Sequence, residues 1–177
     1  PDEIGNIATL KKLYLQYNVL TSLPTTIGNL VNLEELRLSD SSSSGGNELT
    51  SLPIEIGSLS NLKLLYVGGI KLTSLPDEIG NLSALEYLNI TGNTTYDTSI
   101  GEYIYHLTTL PTTINNLTSL KTFKAVDNHI TGTIDLSSLL ALTVLEFRQN
   151  RITGLKIGGS PNRFANFSLY NNPNLSC

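Results

Sequence analysis

The sequence predicts an α/β solenoid, in which small units stack side by side with a parallel β-sheet along one face and short helical or extended turns along the other. Three observations predict it. The phrase Leu23-Pro24-Thr25-Thr26-Ile27-Gly28-Asn29-Leu30 returns at residues 52–59, 75–82 and 110–117. Between the phrases runs a second pattern, L-x-x-L-x-L-x-x-N-x-L, first seen as Leu10, Leu13, Leu15, Asn18 and Leu20. Its copies open at Leu10, Leu33, Leu62, Leu85, Leu120, Leu142 and Phe164, spaced by 23, 29, 23, 35, 22 and 22 residues. A fixed phrase at a near-fixed spacing is one supersecondary unit repeated, each copy burying its apolar side on the next.

Each element follows from this register. Leu13 and Leu15, two apart, share one face of a short strand, and Tyr14 takes the other. The Leu-Pro-x-x-Ile-Gly-x-Leu phrase returns the chain along the outer side. Its proline suits a first turn and its glycine a tight bend. Asn18, Asn93, Asn128, Asn150 and Asn172 stand where an amide can satisfy buried backbone groups along the stack. Repeat three carries Ile70 at that position, beside Gly68-Gly69 as a place for the backbone to adjust. In repeat two either Ser41 or Asn47 can fill it.

Two spacings exceed 23, by 6 and by 12, so two repeats carry insertions. Both leave between the strand and the following Leu-Pro phrase, on the edge beside the inner face. The first, near 40–46, is polar and flexible and reads as a tolerated loop. The second, 94–106, carries Tyr96, Ile100, Tyr103, Ile104, Tyr105 and His106. A loop that apolar is expected to fold over the rim near Tyr66 and Tyr87 and to shape a pocket or ledge.

These motifs resemble the leucine-rich-repeat family, whose units of about 20–29 residues share this consensus. The resemblance covers essentially the whole chain and implies a curved, right-handed coil with its parallel sheet on the concave face. The Leu-Pro-x-x-Ile-Gly phrases are similar to repeats of bacterial, protist and cytosolic eukaryotic proteins. Ile130-Thr131-Gly132-Thr133-Ile134 and the closing Asn171-Asn172-Pro173-Asn174-Leu175-Ser176-Cys177 resemble plant-type extracellular repeats. In that second type the cysteine joins a disulfide cap, here expected over 164–177 with a partner beyond residue 177; a free thiol is the other reading. The expected organisation is one domain over 1–177 with about seven repeats. Pro1-Asp2-Glu3-Ile4-Gly5-Asn6 duplicates 76–81, so the chain is expected to be a fragment that opens inside a repeat.

Composition narrows the function. A net charge of −4 and a pI near 5.1 argue against a nucleic-acid partner, which calls for a basic stripe. No apolar run approaches the roughly 18 residues of a membrane span. Six N-x-S/T sequons, at Asn81, Asn89, Asn93, Asn116, Asn166 and Asn174, lean toward an extracellular or cell-surface setting and N-glycans, with cytoplasmic as the alternative. Asn93 is also a ladder position, where a glycan does not fit. His106 and His129 are the only histidines, with no nucleophile or metal cluster readable around them. No enzyme, cofactor or metal site is expected.

Outward positions on the strands form three columns. The central one reads Tyr14, Arg37, Tyr66, Asn89, Lys124, Glu146 and Ser168. The column before it reads Lys12, Glu35, Leu64, Tyr87, Thr122, Val144 and Asn166; the column after it reads Gln16, Ser39, Gly68, Thr91, Val126, Arg148 and Tyr170. The leucines recur while these positions vary, so the scaffold repeats and the face does not. Tyrosine supplies a large, stiff contact with a polar tip and suits recognition surfaces, although it also pairs well across strands. The expected ligand contacts are Tyr14, Arg37, Tyr66, Tyr87, Asn89 and Lys124 on the sheet, with Tyr96, Tyr103 and Tyr105 from the insertion. The function expected is recognition of a macromolecule, most simply a protein. The alternative is a structural surface or filament protein that self-associates through its repeats.

Overall fold

The computed structural model describes residues 1–39 and 46–176. Seven three-residue strands make one parallel sheet: β1 (Lys12–Tyr14), β2 (Glu35–Arg37), β3 (Leu64–Tyr66), β4 (Tyr87–Asn89), then β7 (Thr122–Lys124), β9 (Val144–Glu146) and β11 (Asn166–Ser168). The register aligns Lys12, Glu35, Leu64, Tyr87, Thr122, Val144 and Asn166 in one row and Tyr14, Arg37, Tyr66, Asn89, Lys124, Glu146 and Ser168 in another. These are two of the columns expected from sequence. Between them Leu13, Leu36, Leu65, Leu88, Phe123 and Leu145 point inward and are buried. Each fully buried side chain of this kind contributes about 1.5–3 kcal/mol, so the spine is the main stabiliser of the stack. Only at the last strand does the row open, where Phe167 is 43% exposed and packs edge-on to Phe164.

The outer side is built from 3₁₀ turns at Asp2–Asn6, Thr25–Asn29, Ile54–Ser58, Asp77–Asn81 and Thr112–Asn116. Pro24, Pro53, Pro76 and Pro111 sit just before their turns in extended backbone (φ −65° to −70°), which the pyrrolidine ring presets. The glycines do not serve a tight bend, contrary to expectation. Each sits where the next turn stacks too closely for a side chain. A Cβ on Gly57 would lie 2.5 Å from the Glu78 carbonyl oxygen, and one on Gly80 2.6 Å from that of Thr113. Asn115 takes the glycine position in the fifth turn, on which no further 3₁₀ turn stacks among the described residues. There the outer face changes to β8 (Thr131–Leu136), paired in parallel with β10 (Arg151–Ile157), and the Asn115 side chain accepts from the Ser138 amide at 2.9 Å. Gly80→Ala is therefore expected to destabilise the fold by about 1–3 kcal/mol through backbone overpacking. Chemical denaturation checks it, with Asn115→Ala as the near-neutral comparison.

Buried asparagines tie successive repeats together. Asn150 donates to the carbonyls of Phe147 (3.2 Å) and Ala125 (2.7 Å) and accepts from the Ile130 amide (3.0 Å). Asn172 repeats the pattern on Leu169, Phe147 and Ile152. In repeat two Asn47 fills the rung, bonding Leu38, Leu15 and Leu20; Ser41 lies outside the described residues. In repeat three Ile70 is buried in the core, between the left-handed residues Gly69 (φ 63°) and Lys71 (φ 70°). Asn93 reaches back to that repeat, bonding the Val67 carbonyl and the Ile70 and Leu72 amides. Asn18 differs from the others: it is exposed and bonds only carbonyls of its own turn, Leu15 and Gln16.

Candidate functional site

The second insertion folds as an antiparallel hairpin, β5 (Thr94–Asp97) and β6 (Glu102–Tyr105). Its register pairs Thr94 with Tyr105, Thr95 with Ile104, Tyr96 with Tyr103 and Asp97 with Glu102. Side chains directly opposite share a face, and alternate residues take opposite faces. Tyr96, Tyr103, Tyr105 and Thr94 therefore occupy one face, and Thr95, Ile104, Asp97 and Glu102 the other. The tyrosine face looks over the concave sheet. Tyr103 and Tyr105 form one side of a cleft of about 460 Å³ whose other lining includes Asn89, Thr91, Lys124, Asp127, Glu146, Arg148 and Gln149.

The base of the hairpin is pinned by both histidines. The Tyr105 and His129 rings stack at 3.7 Å with 9° between planes, and His106 Nε2 lies 3.1 Å from the Thr95 hydroxyl. The His106 amide donates to the Asn93 carbonyl at 2.9 Å. Burial holds both imidazoles below their ordinary value of 6.5, helped by Lys71 at His106 and Arg151 at His129. The folded chain thus takes up these protons less readily than the unfolded one. The associated stability is complete above the ordinary value and declines as pH falls below it. The melting temperature is expected to drop between pH 7.5 and 5.5, and to drop less in a His106→Gln/His129→Gln variant.

The cleft under the hairpin includes Gly68 and Gly69, which follow Tyr66, and Asn89, which shares β4 with Tyr87, and it extends from there to Lys124 and Glu146. The hairpin's anchor, His129, belongs to the following repeat and draws it over Asn89, Lys124 and Glu146. Its apolar residues do not all pack down: Tyr96, Ile100, Tyr103 and Ile104 remain exposed. Tyr66 and Tyr87 stack on each other at 4.8 Å. Burial, with the hydrogen bond to Tyr66, pushes the Tyr87 hydroxyl well above the usual phenol range. Arg37 lies over the Tyr66 ring (4.5 Å) and pairs with Glu35, which also accepts from the Tyr14 hydroxyl at 3.0 Å. Asn89 is buried in the cleft floor, where its side chain accepts from the Thr91 amide. It offers less contact surface than an outward column position implies.

The expected residues thus divide. Tyr14, Arg37, Tyr66 and Tyr87 form a self-bonded ladder from β1 to the central strand β4. Asn89, Lys124, Tyr103 and Tyr105 meet at the cleft, with Tyr96 edge-on to Tyr103 at 5.1 Å. Glu146 and Arg148 were absent from the expected contacts, although they stand in the same columns one repeat beyond Lys124. Lys124 Nζ lies 3.0 Å and Arg148 Nη1 3.7 Å from the Glu146 carboxylate. Asp127 carried no signal in sequence. It immediately precedes rung Asn128 with left-handed backbone (φ 53°), and burial raises its carboxyl above the usual range.

A model of the leucine-rich repeat region matches residues 1–110. The chain belongs to the leucine-rich-repeat family. No curated protein matches this leucine-rich-repeat chain in sequence. Among solved structures it is similar to the Arabidopsis receptor kinase HAESA in complex with the peptide hormone IDA and the co-receptor SERK1. That likeness has a TM-score of 0.63 at 25% identity and covers 97% of this chain and 31% of that one. It is also similar to an internalin from Listeria monocytogenes, with a TM-score of 0.61 at 19% identity, covering 99% and 49%. The ectodomain of the Arabidopsis receptor kinase GASSHO1 gives a TM-score of 0.57 at 24% identity, covering 87% and 20%. The chain spans a fifth to a half of the length of these three structures. Among the described residues no group of three or more His, Cys, Asp or Glu is placed to hold a metal, and no helix is long and apolar enough to cross a membrane.

Proposed function

We propose that this leucine-rich-repeat chain is a protein-recognition module that holds a peptide segment of its partner between the concave sheet and the Thr94–Tyr105 hairpin. The carrying observation is the one-sided hairpin, whose Tyr103 and Tyr105 line a polar cleft of about 460 Å³ while its outer face stays free of aromatic residues. Tyrosine is among the residues enriched at interface hot spots, where a partner desolvates its ring and its hydroxyl finds a polar group. The peptide-hormone complex of HAESA is consistent with such a use of the fold.

In this reading residues 1–177 form one repeat domain that works at the cell surface or outside the cell. Of the six sequons, Asn81, Asn116 and Asn174 are exposed and can carry glycans, Asn166 is exposed but its Nδ2 donates to Glu146, and Asn89 and Asn93 are buried. Panning a library of displayed twelve-residue peptides against the immobilised chain tests the proposal. Recovered peptides are expected to bind in solution and to weaken about 30-fold on Tyr103→Ala, a loss typical of an aromatic hot spot of about 2 kcal/mol. Recovery of no peptide, or binding indifferent to Tyr103, would count against it. So would assembly into filaments at micromolar concentration, which would favour self-association.

A further inference from the structure

The concave wall carries a charge opposite to that of the chain. Its three columns hold four cations, Lys12, Arg37, Lys124 and Arg148, against two carboxylates, Glu35 and Glu146. The wall is therefore +2 on a chain of −4, which leaves −6 for everything else. Exposure sharpens the contrast. The side chains of Glu35 and Glu146 are 11% and 12% exposed, whereas those of Lys12, Arg37, Lys124 and Arg148 are 63%, 31%, 31% and 35% exposed. Each carboxylate lies beneath the cations it pairs with, so a ligand on this wall meets the cations first.

At the cleft the arrangement is preorganised. Glu146 is fixed by Asn166, which donates to Oε1 at 3.0 Å, and it holds Lys124 and Arg148 on either side. A lysine ammonium has three donors and a guanidinium five, so pairing with Glu146 does not use up their N–H groups. Asp127 sits at the same lining and is the one further carboxylate there; Arg148 opposes the rise that burial gives its pKa.

We infer that the segment taken by the hairpin cleft is an acidic peptide, with a carboxylate side chain or terminus placed between Lys124 and Arg148 and an apolar neighbour against Tyr103. The inference rests on the proposed function and names its ligand chemistry. A short acidic segment fits better than a long polyanion. A nucleic acid or sulfated glycan would run past the wall into the −6 remainder, and charges within about 8–10 Å of one another are felt at physiological salt. At the cleft Lys124 and Arg148 are formally balanced by Glu146 and Asp127. It is the greater exposure of the two cations than of Glu146 that lets an acidic segment of a few residues meet them first.

The test sequences the peptides recovered from the twelve-residue library and measures one synthetic consensus peptide by fluorescence anisotropy. Enrichment of Asp and Glu is expected, with affinity falling as salt rises. Lys124→Gln/Arg148→Gln, checked for folding by circular dichroism, is expected to weaken binding at least tenfold, and Lys156→Glu on β10 to leave it unchanged. Peptides without acidic enrichment that ignore the double variant yet fail on Tyr103→Ala would overturn the acidic ligand and leave the recognition role standing. Failure to recover any peptide would remove both. A heparin tetrasaccharide that displaces the peptide and depends more strongly on Lys124 and Arg148 would overturn the peptide in favour of a glycan.

Discussion

Asn93→Ala is expected to lower the melting temperature by about 10 °C. Asn93 is fully buried and makes bonds that join two repeats: it donates to Ile90 (2.8 Å) and Val67 (3.4 Å) and accepts from Leu72 (3.0 Å) and Ile70 (3.4 Å). Alanine leaves these backbone groups buried and unpaired, at about 1–3 kcal/mol for each well-made bond. The Ile90 and Leu72 bonds are the short ones, so a total of about 4 kcal/mol is expected. In a chain of this size that amounts to roughly 10 °C. Asn18→Ala is the comparison: it has the same residue type and consensus position, but is exposed, so a change below about 1 kcal/mol is expected. Equal melting temperatures for the two variants, read by circular dichroism, would show that the asparagine column does not couple the repeats.

Deleting residues 95–106 is expected to abolish peptide binding while leaving the coil folded. The deletion places Leu107 two residues after Asn93, the spacing seen from Asn128 to Ile130 and from Asn150 to Ile152. Leu107 is already fully buried and keeps its place in the core. What is lost is the Tyr105–His129 stack, the His106 contacts and a mostly exposed hairpin, so a melting temperature within a few degrees of the parent is expected. The tyrosine side of the cleft disappears with it, and affinity for a recovered peptide is expected to fall at least 100-fold. Unaltered affinity in a well-folded deletion would remove the hairpin from the site.

The coil was legible because its period is redundant. The strand register, the buried leucine spine and four of the rung asparagines stand where the spacing of the leucines put them. What escaped depends on contacts between units rather than on the unit itself. The phrase glycine was read as a bend because the sequence shows one turn at a time, and the carbonyl that excludes a Cβ comes from the next turn. The anchor of the hairpin escaped because the stack joins Tyr105 to His129, 24 positions on, with no sequence pattern linking them. Arg37 and Tyr66 are expected ligand contacts that also bond within the wall, to Glu35 and Tyr87 one column over, which a single strand does not show. Residues 40–45 of the first insertion and Cys177 lie outside the described residues.

The central claim is that scaffold and recognition surface are separate faces of one coil. Amide chemical shifts of the isotope-labelled chain, followed on addition of a recovered peptide, test it most directly. The account predicts changes confined to β4, β7, β9 and the Thr94–Tyr105 hairpin, with the 3₁₀ turns at Ile54–Ser58 and Asp77–Asn81 unmoved. Shifts centred on those outer turns, with the hairpin silent, would contradict it.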